Sequence, residues 1–191
     1  RGTLVKALER GALISYKAVP GGSVPYELNC SYLSVVAPPE LGSVELRARA
    51  FLACQGVLLC LAGLPAVYFH SWMGSEHWVE GPAVLGYNRA INREKPTLAA
   101  LEAALADPSS LRRRVYDGIT ALLDFRAAEA AFAPDRPQEV LPAEGSLFAL
   151  LRGPDEGGRR VLCLQNLGGT AASFDAAPQL PALGAELSAV T

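Results

Sequence analysis

The chain has 191 residues, 50% of them hydrophobic and 19% charged, with a formal net charge of −2. That balance supplies core for one domain or two small ones and excludes an intrinsically disordered segment. It offers no basic patch for nucleic acid, and no apolar run approaches the roughly 20 residues of a membrane span.

Leu4, Val5 and Leu8 form a short helical stripe that Gly11 can end, and residues 12–19 then alternate loosely as a strand. Pro20-Gly21-Gly22 is a turn signal, and residues 24–33 are extended or looped, with Pro25 fixing the local backbone. Pro38-Pro39 ends that segment. Ser43 is an N-cap for the next helix, with Glu45 in the first turn, where the helix dipole favours a carboxylate. Leu46, Ala50, Cys54, Val57, Leu58 and Leu61 make a stripe at helical spacing, and beyond Arg49 the helix is apolar nearly all round, so deep burial is expected. Gly63 and Pro65 stop it. Residues 66–69, rich in aromatic and β-branched side chains, read as a fully buried strand.

A long loop opens at that strand's carboxyl end, carrying both histidines, His70 and His77, and both tryptophans, Trp72 and Trp78. It closes on Asn88-Arg89-Ala90-Ile91-Asn92-Arg93. Aromatic rings beside arginines and amides suit a sugar and an anion, because rings stack on sugar faces and guanidinium groups grip phosphate oxygens in pairs. Thr97 caps a short helix with Leu98, Leu101 and Leu105 inward, and Asp107-Pro108-Ser109 starts another in which Leu111, Val115, Ile119 and Leu122 share a face. Arg112-Arg113-Arg114 reads as a solvated or salt-bridged face. From Pro134 the pattern changes to short β-type runs, at 138–141, 146–152, 160–166 and 170–174, separated by glycines: an antiparallel meander. Residues 178–191 read as a weak last strand or a frayed end. Cys30, Cys54, Cys60 and Cys163 show no C-x-x-C and no His at ligand spacing; the expectation is reduced thiols in a cytoplasmic protein and no metal, with zinc or a disulfide as alternatives.

Three motifs then stand in order. GLPAVYFHSWMGS (residues 63–75) and GYNRAINREK (86–95) resemble the eighth strand and following loop of the sucrose phosphorylase branch of the α-amylase superfamily, glycoside hydrolase family 13. PYELNCSYL (25–33) resembles the loop after that branch's seventh strand. Any one alone is a weak signal; the ordered three are specific. The resemblance implies an α/β fold, the closing part of a (β/α)8 barrel followed by a small antiparallel all-β C-terminal domain. Residues 1–132 would be the barrel portion, with loop and insertion at 1–41 and the last β/α units at 42–132. Residues 133–191 would be the β domain.

Retaining enzymes of this superfamily use two carboxylates about 5–5.5 Å apart. Glu27, Glu76, Glu80 and Glu94 are the loop carboxylates here, and none sits in a pattern resembling the family's nucleophile or acid/base segments. No catalytic residue is therefore expected in this chain, which would be inactive alone and would need the missing amino-terminal barrel portion as its partner. What the resemblance does carry over is the acceptor and phosphate side of the site: Tyr26, Glu27 and Arg89, with His70 lining it from the strand end. For Tyr26 the alternative is a buried loop anchor, and for Arg89 a structural ion pair. Glu27 would repel phosphate unless a cation offsets it. Arg93 is read as structural, paired with Glu94 or Asp124; Asn29 as bonding the backbone; and His77, Trp72 and Trp78 as loop packing.

The implied parent activity is phosphorolysis of an α-glucoside to α-glucose 1-phosphate, with a small-molecule sugar and inorganic phosphate as substrates and no dissociable cofactor. The wording of the motifs leans towards glucosylglycerate or sucrose 6-phosphate over sucrose. A hydrolase or transglucosylase of the same superfamily, or a non-catalytic sugar-binding piece, are the alternatives.

Overall fold

In a computed structural model, residues 2–179 are described, and they gather into two compact units. One comprises residues up to Phe51 together with Val67–Gly118; the other comprises Leu52–Ala66 and the chain from Ile119 onward. That grouping cuts across residue 132, because two long helices each contribute one half to either unit.

In the first unit, helix α1 (Gly2–Glu9) ends where Gly11 takes φ of 86°, a conformation favouring glycine. Its Leu4, Val5 and Leu8 are exposed, and Ala7 is the side chain it buries. Strands β1 (Leu13–Val19) and β2 (Gly22–Asn29) form an antiparallel hairpin closed by the Val19–Gly22 pair across Pro20-Gly21. Ser15 pairs with Glu27 but Tyr16 pairs with Pro25, so Tyr26 is an extra residue in a bulge. Pro25, which has no N–H to donate to a ladder, is the reason the pairing slips at that point.

Helix α2 (Tyr32–Val36) and a 3₁₀ turn at Pro39–Leu41 lead into helix α3 (Val44–Cys60), where the Ser43 hydroxyl accepts from the Leu46 N–H as expected of an N-cap. The buried face of α3 differs from the expected stripe. Arg47, Ala48, Phe51, Gln55 and Leu59 point inward, while Leu46 and Leu58 are exposed and Ala50, Cys54 and Val57 half-buried. The physical reason is that Arg47 has partners on the inner side: its Nε donates to the Ala37 carbonyl at 2.9 Å and its guanidinium pairs with Glu76. A helix apolar all round leaves such polar contacts to choose its face.

The strand expected at residues 66–69 is not formed. Residues 64–68 carry no regular structure, Leu64 and Phe69 are exposed, and Phe69 opens a one-turn helix, α4 (Phe69–Trp72). A strand is held by ladder bonds to a neighbour, and among the described residues none runs beside it. The loop beyond is more ordered than expected, with α5 (Gly81–Leu85) and a 3₁₀ turn at Asn88–Asn92. Trp72 stacks on Tyr116, their ring planes 12° apart, and Trp78 covers Gly81, where an added Cβ would lie 2.6 Å from the indole. Both rings thus pack within the loop and its supports.

Helix α6 (Leu98–Ala106) is capped by Thr97, whose hydroxyl accepts from Ala100 N–H, but Leu98 is exposed. Helix α7 (Leu111–Ala128) starts later than expected: Ser110 caps it by accepting from Arg113 N–H, and Asp107 instead turns the chain ahead of it by accepting from Ser109. Val115 and Ile119 are fully buried, on the expected face. Each arginine of the triplet has a carboxylate partner, Arg112 with Glu94, Arg113 with Asp117 and Arg114 with Glu45. Glu94 is thus taken by Arg112 and not by Arg93.

In the second unit, β3 (Gln138–Leu141), β4 (Leu147–Arg152) and β5 (Val161–Asn166) form the expected antiparallel meander with β4 central. One face holds Leu150 with Phe132 and Cys60, and the other holds Leu141, Ala149 and Leu151. Residues 170–174 form no strand, although Phe174 packs on that second cluster. Residues 180–191, expected as a weak strand or frayed end, lie outside the described residues. Arg152 is wholly buried; its guanidinium donates to the Cys60 and Ala133 carbonyls, each at 3.0 Å, and lies over the Phe132 ring.

Replacing Arg152 with Met should therefore destabilise the chain by about 2–6 kcal/mol, since the carbonyls of Cys60 and Ala133 lose their donor at about 1–3 kcal/mol each. Urea unfolding followed by circular dichroism measures it; an unchanged midpoint would show those carbonyls find other partners.

Candidate functional site

The hairpin β1–β2 rests on the 3₁₀ turn at Asn88–Asn92. Asn88 donates from Nδ2 to the Ile14 carbonyl at 2.9 Å, which fixes the turn against β1. At the foot of the hairpin the buried Asn29 donates from Nδ2 to Ser15 Oγ at 2.8 Å and, as expected, to the backbone, at the Leu13 and Glu27 carbonyls at 3.4 Å. These two amides hold the bulged stretch of β2 over the turn that carries Arg89.

Three of the four expected site residues meet there. Arg89 donates from Nε and Nη2 to the same oxygen of Glu27, Oε2, at 3.2 and 2.9 Å. Tyr26 stands beside them, its side chain turned outward by the bulge and about half exposed. The bond from Glu27, then its charge, holds the Arg89 guanidinium even more firmly protonated than usual, with Tyr26 adding to the same effect. The pair is partly open to solvent, with side-chain exposures of 44% for Arg89 and 29% for Glu27. As a bond between exposed charges it contributes little to stability. It does neutralise the Glu27 carboxylate, which removes the repulsion an arriving anion would meet.

His70 belongs to a different cluster. Its Nδ1 lies 3.0 Å from Ser75 Oγ, and its ring packs against Tyr68 and Phe69. Ser75 is a junction that the sequence does not signal. It is buried, its hydroxyl also accepts from Arg112, its N–H donates to the His70 carbonyl at 2.8 Å, and its own carbonyl accepts from Ser31 Oγ at 2.7 Å. No residue type or spacing marks a single Ser as such a hub. Burial holds the His70 imidazole below its ordinary range; Arg112 and Arg93 push the same way and Glu94 opposes them. His77 is likewise held low by burial, with Glu76 opposing. Among the described residues, no group of three His, Cys, Asp or Glu side chains is placed to hold a metal ion, and no helix is long and apolar enough to cross a membrane.

The chain is 47% identical over 159 residues to a glucosylglycerate phosphorylase of Spirochaeta thermophila, covering 83% of this chain and 27% of that protein. It is 37% identical over 163 residues to a glucosylglycerate phosphorylase of Allomeiothermus silvanus, covering 85% of this chain and 29% of that one, and 35% identical over 156 residues to one of Escherichia coli, covering 81% and 28%. In three dimensions it matches the crystal structure of sucrose 6F-phosphate phosphorylase from Thermoanaerobacter thermosaccharolyticum with a TM-score of 0.67 at 20% identity, over 87% of this chain and 30% of that one. This chain is sucrose phosphorylase-like in sequence and in fold. No family model matches it. It spans less than a third of the length of these relatives. The architecture is that of the closing part of a (β/α)8 barrel with a small antiparallel C-terminal domain, although the barrel strand expected at 66–69 is not formed.

The two histidines set a pH dependence. Both have folded-state pKa values below the ordinary value near 6.5. The unfolded chain therefore binds protons first as the pH drops, and stability falls as the pH goes below about 6.5. The melting temperature should decline between pH 7.5 and pH 5, and the His70→Asn, His77→Asn double variant should show a shallower decline. An equal slope in both proteins would assign the dependence to other groups.

Proposed function

We propose that this chain supplies the acceptor and phosphate side of a retaining α-glucoside phosphorylase site, in which a glucosyl group passes to phosphate to give α-glucose 1-phosphate. The observation that carries this reading is the Tyr26, Glu27 and Arg89 constellation, held by the bulge of β2 above the 3₁₀ turn. Such a set suits a ligand that is both anionic and hydroxylated. The guanidinium takes an anionic oxygen, the carboxylate accepts from a hydroxyl, and the tyrosine offers a ring face and a hydroxyl. Glycerate has that chemistry, and three curated relatives carry the name glucosylglycerate phosphorylase. Glucosylglycerate is accordingly the donor we favour, ahead of sucrose 6-phosphate and sucrose.

The double-displacement route leaves a glucosyl ester on the enzyme. An arginine that holds phosphate beside that ester favours phosphorolysis over hydrolysis, by position and by charge. The nucleophile and the acid/base carboxylate are assigned outside this chain, to an amino-terminal barrel portion. His70, which belongs to the Ser75 cluster and not to the Tyr26, Glu27 and Arg89 set, is proposed to line the wider site from the loop base. We propose residues 1–132 as barrel and 133–191 as the β domain. A cytoplasmic setting is supported by the free thiols of Cys30, Cys54, Cys60 and Cys163.

The direct test joins this chain to the remaining amino-terminal portion of the Spirochaeta thermophila relative. The hybrid should release glucose 1-phosphate from glucosylglycerate and phosphate. Arg89→Ala in the hybrid should weaken phosphate use by roughly 1.5–3 kcal/mol, the scale of a hydrogen bond to a charged group, with hydrolysis affected less. Equal loss of both activities would make Arg89 a structural arginine.

The chain by itself should release no glucose 1-phosphate from sucrose, sucrose 6-phosphate or glucosylglycerate. A coupled assay reading above the buffer background would show that a catalytic carboxylate has been overlooked among Glu27, Glu76, Glu80 and Glu94.

A further inference from the structure

The last turns of α3 and strand β5 meet face to face in the second unit. Gly56 and Cys60 are four residues apart, so they share one side of the helix. Cys163 and Gln165 are two residues apart, so they share one face of the sheet. The two pairs are in register. A Cβ added at Gly56 would lie 2.7 Å from the end of the Gln165 side chain, which places Gln165 against this face of the helix. One turn further on, Cys163 packs into the cluster that Cys60 forms with Phe132 and Leu150. Within β5 and β4, Cys163 pairs with Leu150, which belongs to that same cluster.

We propose that Cys60 and Cys163 are a redox pair, oxidised to a disulfide by peroxide and reopened by small thiols, that fastens the end of α3 to the C-terminal sheet. The chemical setting favours reaction. Cys60 Sγ donates to the Val57 carbonyl at 3.2 Å; the neighbouring Cys163 thiol holds Cys60 below the usual thiol range against the burial that opposes it, with the Arg152 and Arg126 charges adding to the lowering, while Cys163 is pushed up. Arg152 Nη1 donates to the Cys60 carbonyl at 3.0 Å, and Arg126 donates to the carbonyls of Leu59, Leu61 and Gly63. Two guanidinium groups therefore stand at the helix end that carries the reactive sulfur. A thiolate is the nucleophile in such oxidations. The Cys60 thiolate attacks one peroxide oxygen, the O–O bond breaks, and the departing hydroxide takes a proton as water, leaving a sulfenic acid. The Cys163 sulfur then attacks that sulfur, its proton leaves with the hydroxyl as a second water, and the S–S bond forms. One peroxide is reduced and two thiols are oxidised. Cys30 lies outside this cluster, its thiol pushed up by burial, and Cys54 is half-buried on α3; neither has a second thiol in the cluster.

The test treats the native chain with hydrogen peroxide at low excess, alkylates the remaining thiols and maps peptides without reduction. The expected result is one cross-linked peptide joining Cys60 to Cys163, reversed by dithiothreitol, with Cys30 and Cys54 alkylated. The melting temperature of the oxidised chain should rise by several degrees, as a closed loop restricts the unfolded state. Cys163→Ala should lose the cross-link and the rise, whereas Cys54→Ser should keep both. The same treatment in guanidinium chloride should give a mixture of pairings. That mixture from the native chain, a cross-link through Cys30 or Cys54, or alkylation of both Cys60 and Cys163 after oxidation would each overturn the proposal.

Discussion

Guanidinium groups donating to main-chain carbonyls hold this structure together. The described chain has two small sheets and long irregular connections, and every buried carbonyl that no ladder or helix satisfies needs a donor. Arginines supply it. Arg47 reaches the buried carbonyl of Ala37, and Arg112 and Arg113 the partly buried carbonyls of Met73 and Leu105. In the second unit Arg126 and Arg152 between them satisfy carbonyls around the end of α3, where a helix leaves its last acceptors open. Arginine suits the task because its planar fork offers several donors at fixed angles and stays charged.

Bonds of other side chains hold the candidate site. Loops carry the functional side chains, so their precision depends on what ties them down. Ser31 and Arg112 converge on Ser75, His77 N–H donates to Ser34 Oγ at 2.8 Å, and Tyr68 donates to the Asn92 carbonyl. The bonds from Ser31 and to Ser34 join the loop after α3 to the segment after β2, while Arg112 ties that loop to α7 and Tyr68 ties it to itself. The hairpin then needs its bulge at Pro25 to turn Tyr26 outward beside Arg89. Arg89 is bonded to the half-buried Glu27 carboxylate, the kind of partner that Arg114, Arg136 and Arg159 also take.

How far the residues alone reach is clearest at particular elements. The hairpin turn, the Ser43 and Thr97 caps, the buried face of α7 and the three C-terminal strands all follow from short-range rules and appear as expected. The pairing of Arg112, Arg113 and Arg114 with carboxylates also follows the plain charge reading. The face of α3 does not. Its apolar residues surround the axis, so periodicity selects no side, and Arg47 decides through bonds to residues far along the chain. The strand at residues 66–69 fails for a related reason: its composition is right for burial, but a strand exists only with a neighbour.

The sequence by itself determined the local elements, the order of the three motifs and, through them, the likeness to sucrose phosphorylases. Those depend on side-chain type and spacing over a few residues. Tertiary structure alone decided which residues converge. It joined Glu27 to Arg89 across 62 positions, separated His70 from that pair into the Ser75 cluster, and set Cys163 into the Cys60 cluster. Contacts of that kind rest on how elements pack, and the spacing of residues along the chain holds no record of it.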